Sequence, residues 1–269
     1  MSANLPPNLP RVLLSHNELS VILNLLSVAS IPGVGADPLG DLTAEQQAYG
    51  LMVAERGLRA RELAVINDGG RLLVQQAVLE LVGSCVLAEG TLVVTTIGAT
   101  EGSGVQWFGH RLGETFVVHT LPDVVLHQFS QVPDRAALVR LIVDAAALPD
   151  TPDAPSLLLT QPAAIIAAVR ELALQSSSAA VETLLASGAD YDAAAAFVAV
   201  LANRHAVTII QSVHRLAAEK AAISTVTLLY NSSDLWLMTE LDGDTESAVF
   251  LLRPATRTQA EQLIAQLEW

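Results

Sequence analysis

His110-Arg-Leu-Gly-Glu-Thr-Phe-Val-Val118 and Tyr230-Asn-Ser-Ser-Asp-Leu-Trp-Leu-Met238 decide how this chain is read. Each is an apolar run, a short polar turn and a second apolar run, the signature of an antiparallel hairpin. Laid over one another they place Phe116 and Trp236 in matching sheet positions. Their surroundings match as well. Residues 70–148 and 190–268 share one order of pattern: an apolar helix, four strand-like runs, then an amphipathic helix. Short β-rich runs at 11–15 and 156–160 precede them, each followed by its own helices. Self-similarity at so long a period means two related half-domains rather than a solenoid. The expected fold class is therefore α+β. It consists of two pseudo-twofold-related halves, each a mainly antiparallel four- to five-stranded sheet with flanking helices.

The local signals give the elements. Ser15, with Glu18 three residues on, forms a capping box ahead of Leu19, Ile22 and Leu23, and Thr43 caps a helix over 44–59. A third helix is expected over 71–82 and strands over 85–97, 105–112, 115–121 and 124–129, with Gly113-Glu114 and Pro122-Asp123 as the turns. Asp134 opens a helix to Leu148. In the second half, helices are expected near 162–174, 179–187 and 190–204, strands near 206–214, 223–230, 235–241 and 247–252, and a last helix over 256–267. The division follows: a disordered N-terminus at 1–10, a first half at 11–148, a Pro/Asp linker at 149–155 and a second half at 156–269, the halves sharing one core.

Composition narrows the partners. The 269 residues carry 28 acidic against 14 basic side chains, a net charge of −14, which repels nucleic acid and anionic lipid. Mean hydropathy is +0.44, yet charges and prolines interrupt every apolar run short of the ~18 residues of a spanning helix, so no membrane insertion is expected. The single Cys85 forms no internal disulfide and suits a reducing cytoplasm.

Catalytic patterns fail one by one. Ser103 in Glu101-Gly-Ser-Gly-Val lacks the nucleophile-elbow spacing, and Gly98, Gly102 and Gly104 are in the wrong order for a dinucleotide loop. With two-residue turns, His110 and His119 share a face and His127 points to the other. They read as half-exposed sheet histidines short of the three or four ligands of a zinc site. Cys85 reads as a buried, inert thiol. No catalytic residue, metal or cofactor is expected.

The N-terminal segments Leu14-Ser-His-Asn-Glu-Leu19, Ile31-Pro-Gly-Val34, Asp37-Pro-Leu-Gly-Asp-Leu-Thr-Ala-Glu45 and Glu55-Arg-Gly-Leu58 resemble the opening of the ESX (type VII) secretion-associated EspG family. The order of helices and strands and the internal duplication are similar too. The resemblance implies a non-enzymatic cytosolic chaperone that binds secreted PE/PPE-type helical proteins. It places the substrate grip on the loop joining the first two strands, which here is Ala99, Thr100, Glu101, Gly102, Ser103 and Gly104. A homodimer is left open. The competing expectation is an enzyme or ligand-binding protein with a small apolar substrate held between the sheets, served by His110, His119 and Glu240.

Overall fold

The structure is a computed structural model that describes residues 9–35, 40–98, 104–151, 153–203, 206–217, 220–242 and 248–269. The chain opens with β1 (Arg11–Ser15) and α1 (His16–Leu25). The expected capping box forms: Ser15 Oγ accepts from the Glu18 amide, and the Glu18 carboxylate accepts from the Ser15 amide at 2.8 Å. Thr43 and Gln46 repeat the device at the start of α2 (Ala44–Ala60).

The next segment departs from expectation. Residues 71–82 do not begin a helix but contain the second strand of a small hairpin, β2 (Ala64–Ile66) paired with β3 (Leu72–Val74). Its turn is built by Asn67, whose side-chain oxygen accepts from the Gly69 and Arg71 amides, and by Gly70 at φ +71°. This side-chain-stabilised turn outweighs the helical spacing of Leu72 and Leu73. The helix, α3 (Gln76–Val86), starts later and runs further, so Cys85 and Val86 close a helix instead of opening a strand.

Four strands follow: β4 (Gly90–Gly98), β5 (Gly104–Leu112), β6 (Thr115–Asp123) and β7 (Leu126–Val132). Asp134 caps α4 (Arg135–Ala146). The second half runs β8 (Leu159–Pro162), α5 (Ala163–Ala173), α6 (Ser177–Ala186), α7 (Tyr191–Ala202), β9 (Ala206–Ala217), β10 (Lys220–Tyr230), β11 (Leu235–Asp242), β12 (Val249–Pro254) and α8 (Arg257–Gln266).

The expected pair of sheets is one sheet. Its ten strands are ordered β1-β7-β6-β5-β4-β9-β10-β11-β12-β8, five from each half, joined where β4 pairs antiparallel with β9 from Gly90↔His214 to Gly98↔Ala206. Period-two alternation then assigns each residue to a face. On one face α4 and α8 meet, and Leu138, Ile142, Ala260, Ile264 and Trp269 pack with Leu92, Trp107 and Phe116 of the first half and Ile210, Leu228 and Leu237 of the second. On the other, α1 to α3 cover the first half and α5 to α7 the second. Phe116 and Trp236 therefore do not match: Phe116 faces α4 and α8, whereas Trp236 packs 5.1 Å from Phe197 of α7 on the opposite face. Beside the turns the pairs on the α4–α8 face are Arg111↔Phe116 and Tyr230↔Leu235, so Phe116 corresponds to Leu235, and the alignment with Trp236 is one residue out of register, which reverses the face. Among the described residues no helix is long and apolar enough to cross a membrane.

Trp269 is buried, edge-on to Phe116, with the Arg135 guanidinium 5.5 Å from its ring. Its backbone lies so close to Gly90 that a Cβ there would fall 1.9 Å from the Trp269 carbonyl carbon. Gly90→Ala is expected to unseat Trp269 and lower unfolding stability by about 1–3 kcal/mol, read from a denaturant melt at unchanged m-value.

Candidate partner-binding site

The central strands carry a strip that no helix covers. Leu92 and Val94 of β4 turn toward α4 and α8, so Val93, Thr95 and Ile97 face the other way. There α3 packs over β5 to β7, and the core under α5 to α7 takes in β10 and Val207 and Ile209 of β9, leaving the middle partly open. The register lines Val93 against Gln211 and Thr95 against Ile209 of β9, with Gln106 of β5 on the far side of Thr95 and donating to its hydroxyl at 3.2 Å. On β10, Ile223 lies opposite Val213 and Thr225 opposite Gln211. Ile97 is 47% and Ile223 65% exposed. None of these side chains is charged, in a chain of net charge −14. Depletion of charge over a partly apolar surface is the composition of an interface centre.

Two grooves lie beside the strip. Between α6 and α7, Val181, Leu185, Tyr191, Ala195 and Ala199 line an open groove of about 620 Å³. It runs to Asn203, the α7 cap, three residues before Ala206, which pairs with Gly98 at the end of β4. A second groove of about 450 Å³ lies between α3 and the ends of β5 and β6, lined by Leu79, Leu87, Leu112 and Thr115. Of the candidate loop, Ala99, Thr100, Glu101, Gly102 and Ser103 lie outside the described residues. Gly104 is the first residue of β5, opposite Ile97, so the loop springs from the end of the strip where the α6–α7 groove arrives.

The histidines are arranged otherwise than the sequence suggested. Pro122 has no amide to give the ladder, and pairing is interrupted between Thr120 and Asp123; the turn falls at Val124-Val125. The register of β7 slides accordingly. His119 sits opposite Phe129 rather than Leu126, and His127 comes onto the face it shares with His110 and His119. All three are buried, not half-exposed. Among the described residues no group of three or more metal-ligating side chains is placed to hold an ion. Glu240 is exposed on β11, on the other side of the sheet's centre from His110 and His119. Cys85 is buried and donates to the Leu81 carbonyl, and burial pushes its thiol far up from the ordinary range. The groups displaced from their usual titration range (Cys85, His110, His119, His127, Arg135 and Tyr230) line neither groove.

No protein-family model matches the chain, and no curated protein matches it. Among solved structures it is similar to the Mycobacterium tuberculosis type VII secretion system chaperone EspG5, determined in complex with a PE25–PPE41 dimer. The TM-score is 0.66 at 13% sequence identity, over 96% of this chain and 98% of that one. The fold is EspG-like over 96% of the chain.

The glycine of the Ile31-Pro-Gly-Val34 segment has a structural reason. Gly33 adopts φ +90°, and a Cβ there would meet the Phe108 ring at 2.3 Å and His119 Cε1 at 2.9 Å, because this turn lies directly on the buried histidine layer. Gly33→Ala combines a left-handed backbone with a ring clash. It is expected to destabilise the first half by about 2–4 kcal/mol, measured by thermal or denaturant unfolding.

Proposed function

We propose that the chain is a non-enzymatic, cytoplasmic protein-binding module, a specific chaperone for helical secreted proteins of PE/PPE type. The observation that carries this reading is the EspG-like fold, shared over nearly the whole of both chains with a chaperone solved together with a PE–PPE dimer. The uncharged strip and the α6–α7 groove support it, because a chaperone needs open apolar surface rather than a deep pocket with tuned titratable groups. The small-substrate alternative required a space between two sheets, and the halves form one sheet instead.

In this reading the partner's helical end lies on Ile97 and Ile223, its flank enters the groove beside Tyr191, and Ala99 to Gly104 are partner-contact residues. The two halves act as copies related by a pseudo-twofold through the β4–β9 pair, with residues 11–148 and 156–269 as the units and 149–155 as the link. Thr151 in that link is buried and donates to the Ala255 carbonyl. Because the α4–α8 core draws on both halves, fragments cut within 149–155 are expected to aggregate or stay molten. A sharp cooperative transition from residues 1–150 alone would contradict a shared core.

Co-expression of the full chain with a PE–PPE heterodimer is expected to yield a complex that co-elutes on size exclusion. Ile223→Asp, Ile97→Asp or Glu101→Lys should abolish or weaken co-elution. Stability should move by only about 0.5 kcal/mol, as is usual for surface positions. Co-elution that survives all three substitutions would remove the strip and loop from the interface.

A further inference from the structure

Four of the six histidines stand in one file beneath the first helical layer. Thr91 Oγ1 of β4 lies 3.2 Å from His110 Nδ1 of β5, and the His110 and His119 rings are stacked 6.2 Å apart. His119 Nε2 is 3.0 Å from His127 Nδ1, and His127 Nε2 is 3.4 Å from Nδ1 of His16, the first residue of α1. The inner three are buried and His16 is half-buried. A neutral imidazole has one donor and one acceptor, so neutral His119, His127 and His16 satisfy one another head to tail, while His110 is only stacked on His119 and its Nε2 has no hydrogen-bond partner among the described residues. A second proton on an inner ring leaves a charge buried without a partner, and protons on both His119 and His127 set donor against donor.

The surroundings offer such a proton no counter-charge. From α1 comes Glu18, whose carboxylate is held by the Ser15 amide and lies 3.6 Å from Arg61, just beyond α2. From α3 comes Cys85, kept protonated by burial. The Ile31–Val34 turn, β4, β5 and β7 present Gly33 and the Pro32 backbone, Thr91, Phe108 and Phe129 beside the rings, none of them charged. Among the described residues none of the four rings hydrogen-bonds or ion-pairs with a carboxylate.

We propose that this file is an acid-operated latch: neutral, it pins α1 and the Ile31–Val34 turn to the first-half sheet, and protonation of the inner rings releases them while the second half stays closed. The restriction to one half follows from placement: among the described residues the second half's histidine, His214, lies opposite Gly90 on the α4–α8 face and not in the core under α5 to α7. Burial lowers His110 to about 4; burial, reinforced by His110 and His127 and only partly offset by a hydrogen bond to the Pro32 backbone, lowers His119 to about 3; burial, reinforced by His16, lowers His127 to about 4. The sign is therefore fixed. Above the ordinary value of 6.5 both the closed and the opened layer hold neutral rings and the latch keeps its full strength. As pH falls from 6.5 toward 4 the opened form takes up protons that the closed form refuses, and the latch weakens.

Hydrogen exchange on the full chain, corrected for intrinsic rates, tests this between pH 6.5 and 5. Amides of α1 are expected to lose protection by about tenfold per pH unit for each proton taken up on opening, while those of α7 and β10 keep theirs. His127→Gln, whose amide still donates and accepts but does not titrate, should shallow that slope by one proton's worth. Equal loss in both halves, unchanged protection in α1, or a wild-type slope in His127→Gln would each overturn the latch. The wild-type comparison decides by itself if the variant does not fold.

Discussion

Between β4 and β9, nine backbone pairs from Gly90↔His214 to Gly98↔Ala206 turn two five-stranded sheets into one. Each half alone would end in a long strand with an open ladder, and such edges pair with whatever they meet. Closing them against each other also sets Val94 beside Ile210. The apolar stripe so formed is wider than one helix, and α4 and α8 cover it from opposite halves, tied by Arg257 of α8 at 2.6 Å from Asp144 of α4. The pairing also creates the open strip, because α3 reaches inward only to β5, and the second half's helices only to β10 and the Val207–Ile209 part of β9.

The outer edges are closed by different chemistry. On β1 the Leu13 carbonyl, which faces away from β7, accepts from Arg61 at 2.8 Å, and the Ser15 amide is taken by Glu18. On β8 the strand ends at Pro162, which has no amide to offer, and the buried Gln161 side chain accepts from Ser187 beyond the end of α6. Short strands, a proline and side-chain caps make these poor templates for further pairing. The extended surface left open is at the centre of the sheet, not at its ends.

Much of this was legible in the sequence because the signals were local. Ser15, Thr43 and Asp134 mark helix starts through caps that need only three or four residues, and Gly113-Glu114 places its hairpin so that His110 lies opposite Val117 as read. What failed depended on competition or on distance. Asn67-Asp-Gly-Gly70 is a turn signal in its own right, yet Leu72 and Leu73 also fit a helical spacing, and only the hairpin contacts decide between them. A register displaced around Pro122 reverses the face of every residue beyond it, so His127 was misplaced although its strand was found. The strip could not be seen at all: Val93, Thr95 and Ile97 read like any buried strand, and their exposure follows from which helices stop short of them.

The alanine content of the second half explains why the open surface has the shape it does. Ala180, Ala193 and Ala194 are fully buried, and side chains so small let α6 and α7 lie close on the sheet with Phe197 and Trp236 filling the space beneath. The same small residues on the outward side, Ala195 and Ala199, leave a trough where larger side chains would make a ridge. A trough lined by methyl groups has few rotamers to immobilise when a partner enters, so less of the burial energy is spent on ordering. In the proposed binding role, charge outside the strip would govern encounter and exclude wrong partners, while the contact itself would rest on shape and apolar burial.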